Sequence, residues 1–413
     1  MSTTLSSPRK LLTTAWNKPP VRSLFTSPAK PDRRTAVGSA SKRLYFLDLF
    51  RGAFVVIMLQ GHTFRTLLNA SIKEGNAYQF QDLIHNLPGP AFLFASGAAF
   101  SLATLTYWDS YRKWSPRLRT RLLRWMALLA IGYMLHLTYF SLRRSLAEST
   151  PEQVLFFFSM DILQCIALSS LLLQLVVLLS PTREWFLRAV VALTVTVGLV
   201  TPVIWNAAGQ LPFWLGTGLS DQWGSAFPLF PYAGFEWAGA AWGYLQFTAR
   251  EQGAENRFLE QSLRFAVWLC VASLAITLLP LPALYSDFWK TGPTFFFLRI
   301  GVLAGLLVGF RRAEPRVAPY LTSVVLLGRE SLLVYGVHLM LLYGSALNPD
   351  RNLRKWLGEG QPLLQVATVF LLMAVSMWLL CWFWSRWKQG RGWKAKGMHW
   401  GLASYLAYAF LTG

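Results

Sequence analysis

With 413 residues, 54% of them apolar and only 14% charged, the chain lies far from the roughly 25% charged content of ordinary soluble domains, and a soluble globular protein is excluded. Its 39 Lys and Arg against 19 Asp and Glu give a net +20, which in a soluble chain would point to nucleic acid but here has to be mapped onto membrane topology first. Cys165, Cys270 and Cys381 all fall inside apolar runs, so neither a disulfide framework nor a thiolate zinc site has the spacing it needs, and no metal site is expected.

Residues 1–44 are rich in Ser, Thr, Pro and basic groups, carry Asp32 as their one acid, and lack apolar periodicity. They read as a disordered basic cytoplasmic tail. An acid-poor leader bearing Arg and Ser also fits an organelle transit peptide, whereas a secretory signal fails for want of an apolar core. From residue 45 to 413 the pattern changes. A spanning helix needs ~20 mostly apolar residues, because lipid offers the backbone no hydrogen-bond partner. Such runs occur at 47–68, 87–107, 121–141, 154–179, 185–206, 227–249, 263–285, 293–311, 320–346, 362–385 and 399–412. The predicted fold is an all-α, polytopic transmembrane helical bundle of about 10–11 helices. The last run is short, and whether it spans or lies in the interface stays open.

Basic residues orient the bundle. With the N-terminus cytoplasmic, the inner segments (1–44, 108–124, 180–188, 250–264, 311–316 and 386–396) hold 28 Lys and Arg, and the outer ones hold seven. Most of the positive charge is thus a positive-inside signal, and no nucleic-acid partner is needed. The expected setting is an integral, multi-pass protein of a bacterial cytoplasmic membrane. A homodimer is compatible with this reading.

Ionisable groups inside the membrane are costly, ~2.5–3.5 kcal/mol each on insertion scales, and mark functional pathways. The segments contain Asp48, Arg51 and His62, then Asp161, Glu236 and Arg299, and finally Arg329, Glu330 and His338. At a rise of ~1.5 Å per residue, His62, Asp161, Glu236, Arg299 and His338 fall in one layer ~9–14 Å below the outer surface. Arg51 lies near the inner face, and Arg329 with Glu330 lies ~13–15 Å above it. Structural readings stand beside functional ones. Asp48 and Arg51 are spaced for an intrahelical ion pair. Glu236 or Asp161 pairs with Arg299 equally well, and His338 can be a satisfied core histidine. His85 and His136, at helix margins, read as interfacial. His62, flanked by Gly61 and Thr63, suits proton transfer near neutral pH best.

These residues carry a family resemblance. Arg43-Leu-Tyr-Phe-Leu-Asp48-Leu-Phe-Arg51-Gly52, followed by an apolar run to His62, resembles the opening helix of polytopic membrane acyltransferases, most nearly the heparan-alpha-glucosaminide N-acetyltransferase catalytic-domain family. The ten residues between Arg51 and His62 are similar to the Arg and His spacing of the broader acyltransferase-three superfamily. Further pieces follow in order over 43–345: Phe92-Leu-Phe-Ala-Ser96-Gly97-Ala, Asp161-Ile-Leu-Gln164-Cys-Ile-Ala-Leu, Phe227-Pro-Leu-Phe-Pro231, and Leu327-Gly-Arg329-Glu-Ser331-Leu-Leu-Val-Tyr335-Gly-Val-His338. The resemblance implies transfer of an acyl group, acetyl in the family, from cytoplasmic acyl-CoA as co-substrate to a sugar or glycolipid acceptor on the far side, with no permanently bound cofactor. In the family the catalytic His follows the first helix, shortly before an "AD" motif that Gln81-Asp82 resembles, and no His occupies 63–84 here. Either His62, at the superfamily position, does the work, or the fold is kept with its activity changed or lost.

The expected mechanism has His62 as general base oriented by Asp161 or Glu236. His338 or Arg299 polarises the thioester carbonyl, and Arg51 with Arg329, beside Asp48, draws CoA phosphates from the inside. A proton-coupled transporter or flippase is the alternative from another class, since ionisable groups at two depths also describe a transport path.

Overall fold

The computed structural model describes residues 45–390 apart from 283, 284, 286 and 318, together with 401, 404, 405 and 407–412. The expected tail over 1–44 lies outside the described residues, as do 399, 400, 402, 403 and 406 of the run 399–412. Every regular element among the described residues is helical, apart from one isolated bridge between Leu68 and Gln361.

The principal helices are α1 (Tyr45–Leu67), α2 (Asn76–His85), α3 (Pro88–Thr106), α4 (Pro116–Leu135), α5 (Pro151–Phe158), α6 (Ile162–Leu179) and α7 (Arg183–Ala208). They continue with α8 (Leu229–Glu251), α9 (Glu255–Ile276), α10 (Pro293–Val317), α11 (Thr322–Arg329), α12 (Ser331–Tyr343) and α13 (Leu363–Gly390). Their starts follow capping chemistry. Ser115 accepts from the Leu118 amide ahead of Pro116, and Thr150 and Gln153 close a capping box ahead of Pro151.

Six helices among the described residues are long and apolar enough to cross a membrane, or seven if the bent pair α11 and α12 counts as one span. The bundle is all-α and polytopic, and the protein is an integral, multi-pass membrane protein. α1, α4 and α8 reach 23, 20 and 23 residues, a span's length, but each carries too much charge or too little apolar character to qualify by composition.

Three expected segments are corrected. The run 320–346 is not one helix: α11 and α12 meet at Glu330 (φ −105°, ψ 23°) and bend by 80°. The run 154–179 is interrupted between α5 and α6, where Asp161 becomes the N-cap of α6, its Oδ1 accepting from the Ile162 amide at 2.7 Å. The inner loop 250–264 is mostly helix, since α9 begins at Glu255.

Small residues set the closest crossings, as membrane helices without a solvent-driven core require. A Cβ at Gly97 would stand 1.7 Å from the Glu236 carbonyl oxygen, and one at Gly239 would stand 2.0 Å from that of Phe94, so α3 and α8 touch backbone to backbone. Gly52 and Gly328 do the same for α1 and α11, with Cβ positions 1.9 Å from the Val324 oxygen and 1.8 Å from the Asp48 oxygen. These crossings place Arg51, Ser96 and Glu236 at the centre of the bundle.

Candidate active site

A cavity of about 930 Å³ lies at one end of the bundle, under the loops at 85–89, 135–138, 224–227 and 344–354. His62, His85, His136 and Asp161 line it, with Tyr232, Tyr335 and Tyr343. Its rim is basic but balanced: Arg65 meets Asp82 at 2.6 Å and Arg354 meets Glu359 at 2.9 Å. A second cavity of about 150 Å³ is lined by Arg51, Ser96 and Ser331 among apolar side chains.

His62 reaches the chamber from the last turns of α1. Its Nδ1 lies 3.1 Å from the Tyr343 hydroxyl. Thr66 stands 2.9 Å from that same hydroxyl and 2.8 Å from the His62 carbonyl oxygen. With Thr66 donating to the carbonyl, Tyr343 donates to Thr66 and accepts from His62 Nδ1–H, which leaves Nε2 as a bare lone pair, the form a general base needs. The partner that orients His62 is therefore a tyrosine, not the carboxylate expected from Asp161 or Glu236.

His338 packs edge-on against His62, ring centroids 5.2 Å apart, and is 0% exposed. Its Nδ1 donates to the Val334 carbonyl at 2.9 Å, and its Nε2 has no hydrogen-bond partner. A neutral imidazole so placed accepts rather than donates at Nε2, so polarising a carbonyl, its expected part, requires protonation first.

Asp161 shares the chamber with His62 but is occupied otherwise. Its Oδ2 accepts from the Tyr335 hydroxyl and lies 3.9 Å from His136 Nε2. Glu236, fully buried, does not line the chamber: it accepts from Ser170 at 2.5 Å, from Ser96 at 3.2 Å and from Ser169. Arg299 lies over the Phe295 ring at 3.8 Å, hydrogen-bonds Tyr232 and borders neither cavity itself. The expected layer of five groups does not form one site, because Glu236 and Arg299 line neither the chamber that His62 and Asp161 share nor the second cavity.

The basic inner layer is also corrected. Arg51 is enclosed, its Nη2 donating to the Ala95 carbonyl at 3.1 Å, with Asp48 buried one turn earlier. The pocket beside it holds about 150 Å³, too little for a nucleotide diphosphate. Arg329 is exposed, while Glu330 takes both of its oxygens to Lys388 Nζ at 2.7 Å. That pair puts the break at the level of the last turn of α13, not half-way up the bundle.

Two chamber residues went unrecognised in the sequence. His85 bonds Gln60 Oε1 and occupies space that only a glycine at 61 leaves free, a Cβ there standing 2.7 Å from its ring. His136 packs on Phe156 with centroids 4.6 Å apart, and its Nδ1 is buried without a partner. The available signal was that both sit at segment ends on the side where His62 and Asp161 lie.

Helices of spanning length around a chamber with imidazoles and a carboxylate on its walls define a polytopic membrane protein with a polar cluster inside the bundle. The profile of the heparan-alpha-glucosaminide N-acetyltransferase catalytic family matches residues 43–282, more than half of the chain, which therefore belongs to that family. The protein is accordingly an acyltransferase. The matched stretch contains Arg51, His62, Asp161 and Glu236, whereas the likeness read at Leu327–His338 lies beyond it. None of the curated proteins compared with the chain matches it.

Proposed function

We propose that the protein moves an acyl group, acetyl as in its family, from acyl-CoA on the cytoplasmic side to a hydroxyl or amine of a sugar or glycolipid acceptor in the chamber. His62 is the general base. The observation that carries the reading is the chamber itself: His62, held by Tyr343 with Nε2 free, faces the same 930 Å³ space as Asp161, and Arg51 opens on a narrow pocket beneath it. From Arg51 to His62 is eleven residues of one helix, ~16 Å, within reach of an extended pantetheine arm.

In the reaction the acceptor's oxygen or nitrogen attacks the thioester carbonyl while His62 Nε2 takes its proton. The C–S bond then breaks, and the departing sulfur takes that proton from His62 Nε2–H to leave as the CoA thiol, which returns His62 to its neutral form. Arg51 steadies the pantetheine arm, and exposed Arg329 with the basic inner loops takes the phosphates. The 28 basic residues of the inner segments orient this path with its donor side in the cytoplasm.

Sealed vesicles containing the protein test it. Acetyl-labelled acetyl-CoA is supplied on one face and methyl glucosaminide or a lipid-linked glucosamine on the other. Labelled acceptor is expected only when the donor is on the face bearing Arg312 and Lys388. Labelling from the opposite face alone would reverse the orientation, and no labelled product from either face would remove the reading.

A further inference from the structure

The chamber and the inner pocket are separated by a single layer of side chains, because Phe92, Ile162 and Tyr335 line both. Of the three only Tyr335 has a polar end, and that end donates to Asp161 Oδ2. Asp161 is fixed in turn, since its Oδ1 caps α6 through the Ile162 amide at 2.7 Å. Tyr335 rides on α12, just past the 80° break at Glu330, so one hydrogen bond and ring packing hold the partition.

The acyl-transfer reading, on which this inference rests, makes opposing demands on that wall. The thioester must pass from the pocket of Arg51 to His62, yet water in the chamber must not reach it before an acceptor does. His62 would activate water as readily as a sugar hydroxyl. We propose that Tyr335, latched by Asp161, is the partition residue that decides whether the acyl group goes to acceptor or to water. Latched, it closes the pocket. Displaced by the arriving pantetheine arm together with a seated acceptor, it admits the thioester. When it fails, water oxygen bonds to the acyl carbon, the C–S bond breaks, and the sulfur takes a proton from that water to leave as the CoA thiol beside free carboxylic acid.

The test uses the full chain in nanodiscs with acetyl-CoA and no acceptor, reading free thiol released. Tyr335→Phe keeps the ring and loses the latch, and Asp161→Asn keeps an N-cap oxygen but loses the charged acceptor. Each is expected to raise acceptor-free thiol release at least about tenfold, the loss of one hydrogen bond to a charged group. Acetyl-CoA binding, measured by calorimetry, stays as in the parent. Thiol release equal to or below the parent's, with binding intact, would overturn the partition while leaving acyl transfer standing. Absence of both acetyl-CoA binding and turnover in the parent protein would overturn the two together. If Tyr335→Phe does not fold, the leak of Asp161→Asn decides alone.

Discussion

Glu236 tests whether the buried carboxylate belongs to the chemistry or to the frame. Its oxygens collect hydroxyls from Ser96, Ser169 and Ser170, from α3 and α6, at the α3–α8 crossing where Gly97 meets the Glu236 backbone. Ser169 has a second acceptor in the Cys165 carbonyl at 2.7 Å. In Glu236→Ala two hydroxyls, those of Ser96 and Ser170, therefore lose their acceptor. At about 1–3 kcal/mol for each buried unsatisfied group, the cost is about 4 kcal/mol before any void is counted. Glu236→Gln keeps the shape and one acceptor oxygen, so about 1–2 kcal/mol is expected. The assay is thermal melting of the detergent-solubilised protein beside acetyl transfer per folded molecule. Both variants are expected to melt earlier, Ala more than Gln, with the transfer rate of folded Glu236→Gln within about threefold of the parent. A Glu236→Gln protein that melts like the parent but transfers at less than a hundredth of its rate would refute this reasoning.

Other positions give sharper single outcomes. Tyr343→Phe removes the acceptor of His62 Nδ1–H and is expected to lower kcat about tenfold with KM for acetyl-CoA unchanged; an unaltered kcat would contradict the assigned tautomer. Arg51→Gln is expected to raise KM for acetyl-CoA about tenfold or more, from the loss of a charge-assisted contact in an enclosed pocket, and an unchanged KM would take Arg51 off the donor path. Gly97→Leu, whose Cβ starts 1.7 Å from the Glu236 oxygen, forces α3 and α8 apart by about 2 Å to regain ordinary contact and is expected to abolish folded protein in gel filtration. Gly309→Ala, with nothing within 4 Å of the added carbon, is expected to gain about 1 kcal/mol of helix stability and serves as the control.

The sequence made the helices and one wall of the chamber legible. Apolar runs mark the helical segments, and the spacing from Arg51 to His62 on one helix, with Asp161 on another, brings two of the expected groups to one cavity. What it did not carry was rotation. Hydropathy and rise per residue fix how deep a group sits, not which way it faces, so Glu236 and Arg299 shared a layer with His62 on paper and face serines and Phe295 in space. The break at Glu330 was hidden because apolar residues resume on both sides of the short polar stretch Gly328-Arg329-Glu330-Ser331, and the ion pair from Glu330 to Lys388 comes from a residue fifty-eight positions away. His85 and His136 looked interfacial for the same reason: segment ends are where chamber walls and membrane interfaces coincide. The bare Nε2 of His338 follows from a local bond to the Val334 carbonyl, one turn back, that no composition reveals.

The central claim, that His62 Nε2 takes the acceptor's proton, is tested most directly by acetyl transfer from labelled acetyl-CoA by His62→Ala protein in nanodiscs, with acetyl-CoA binding and melting measured on the same sample. General-base catalysis contributes about 10²–10⁴-fold, so a loss of that size is predicted with binding and folding retained. Transfer within a few fold of the parent rate would contradict it.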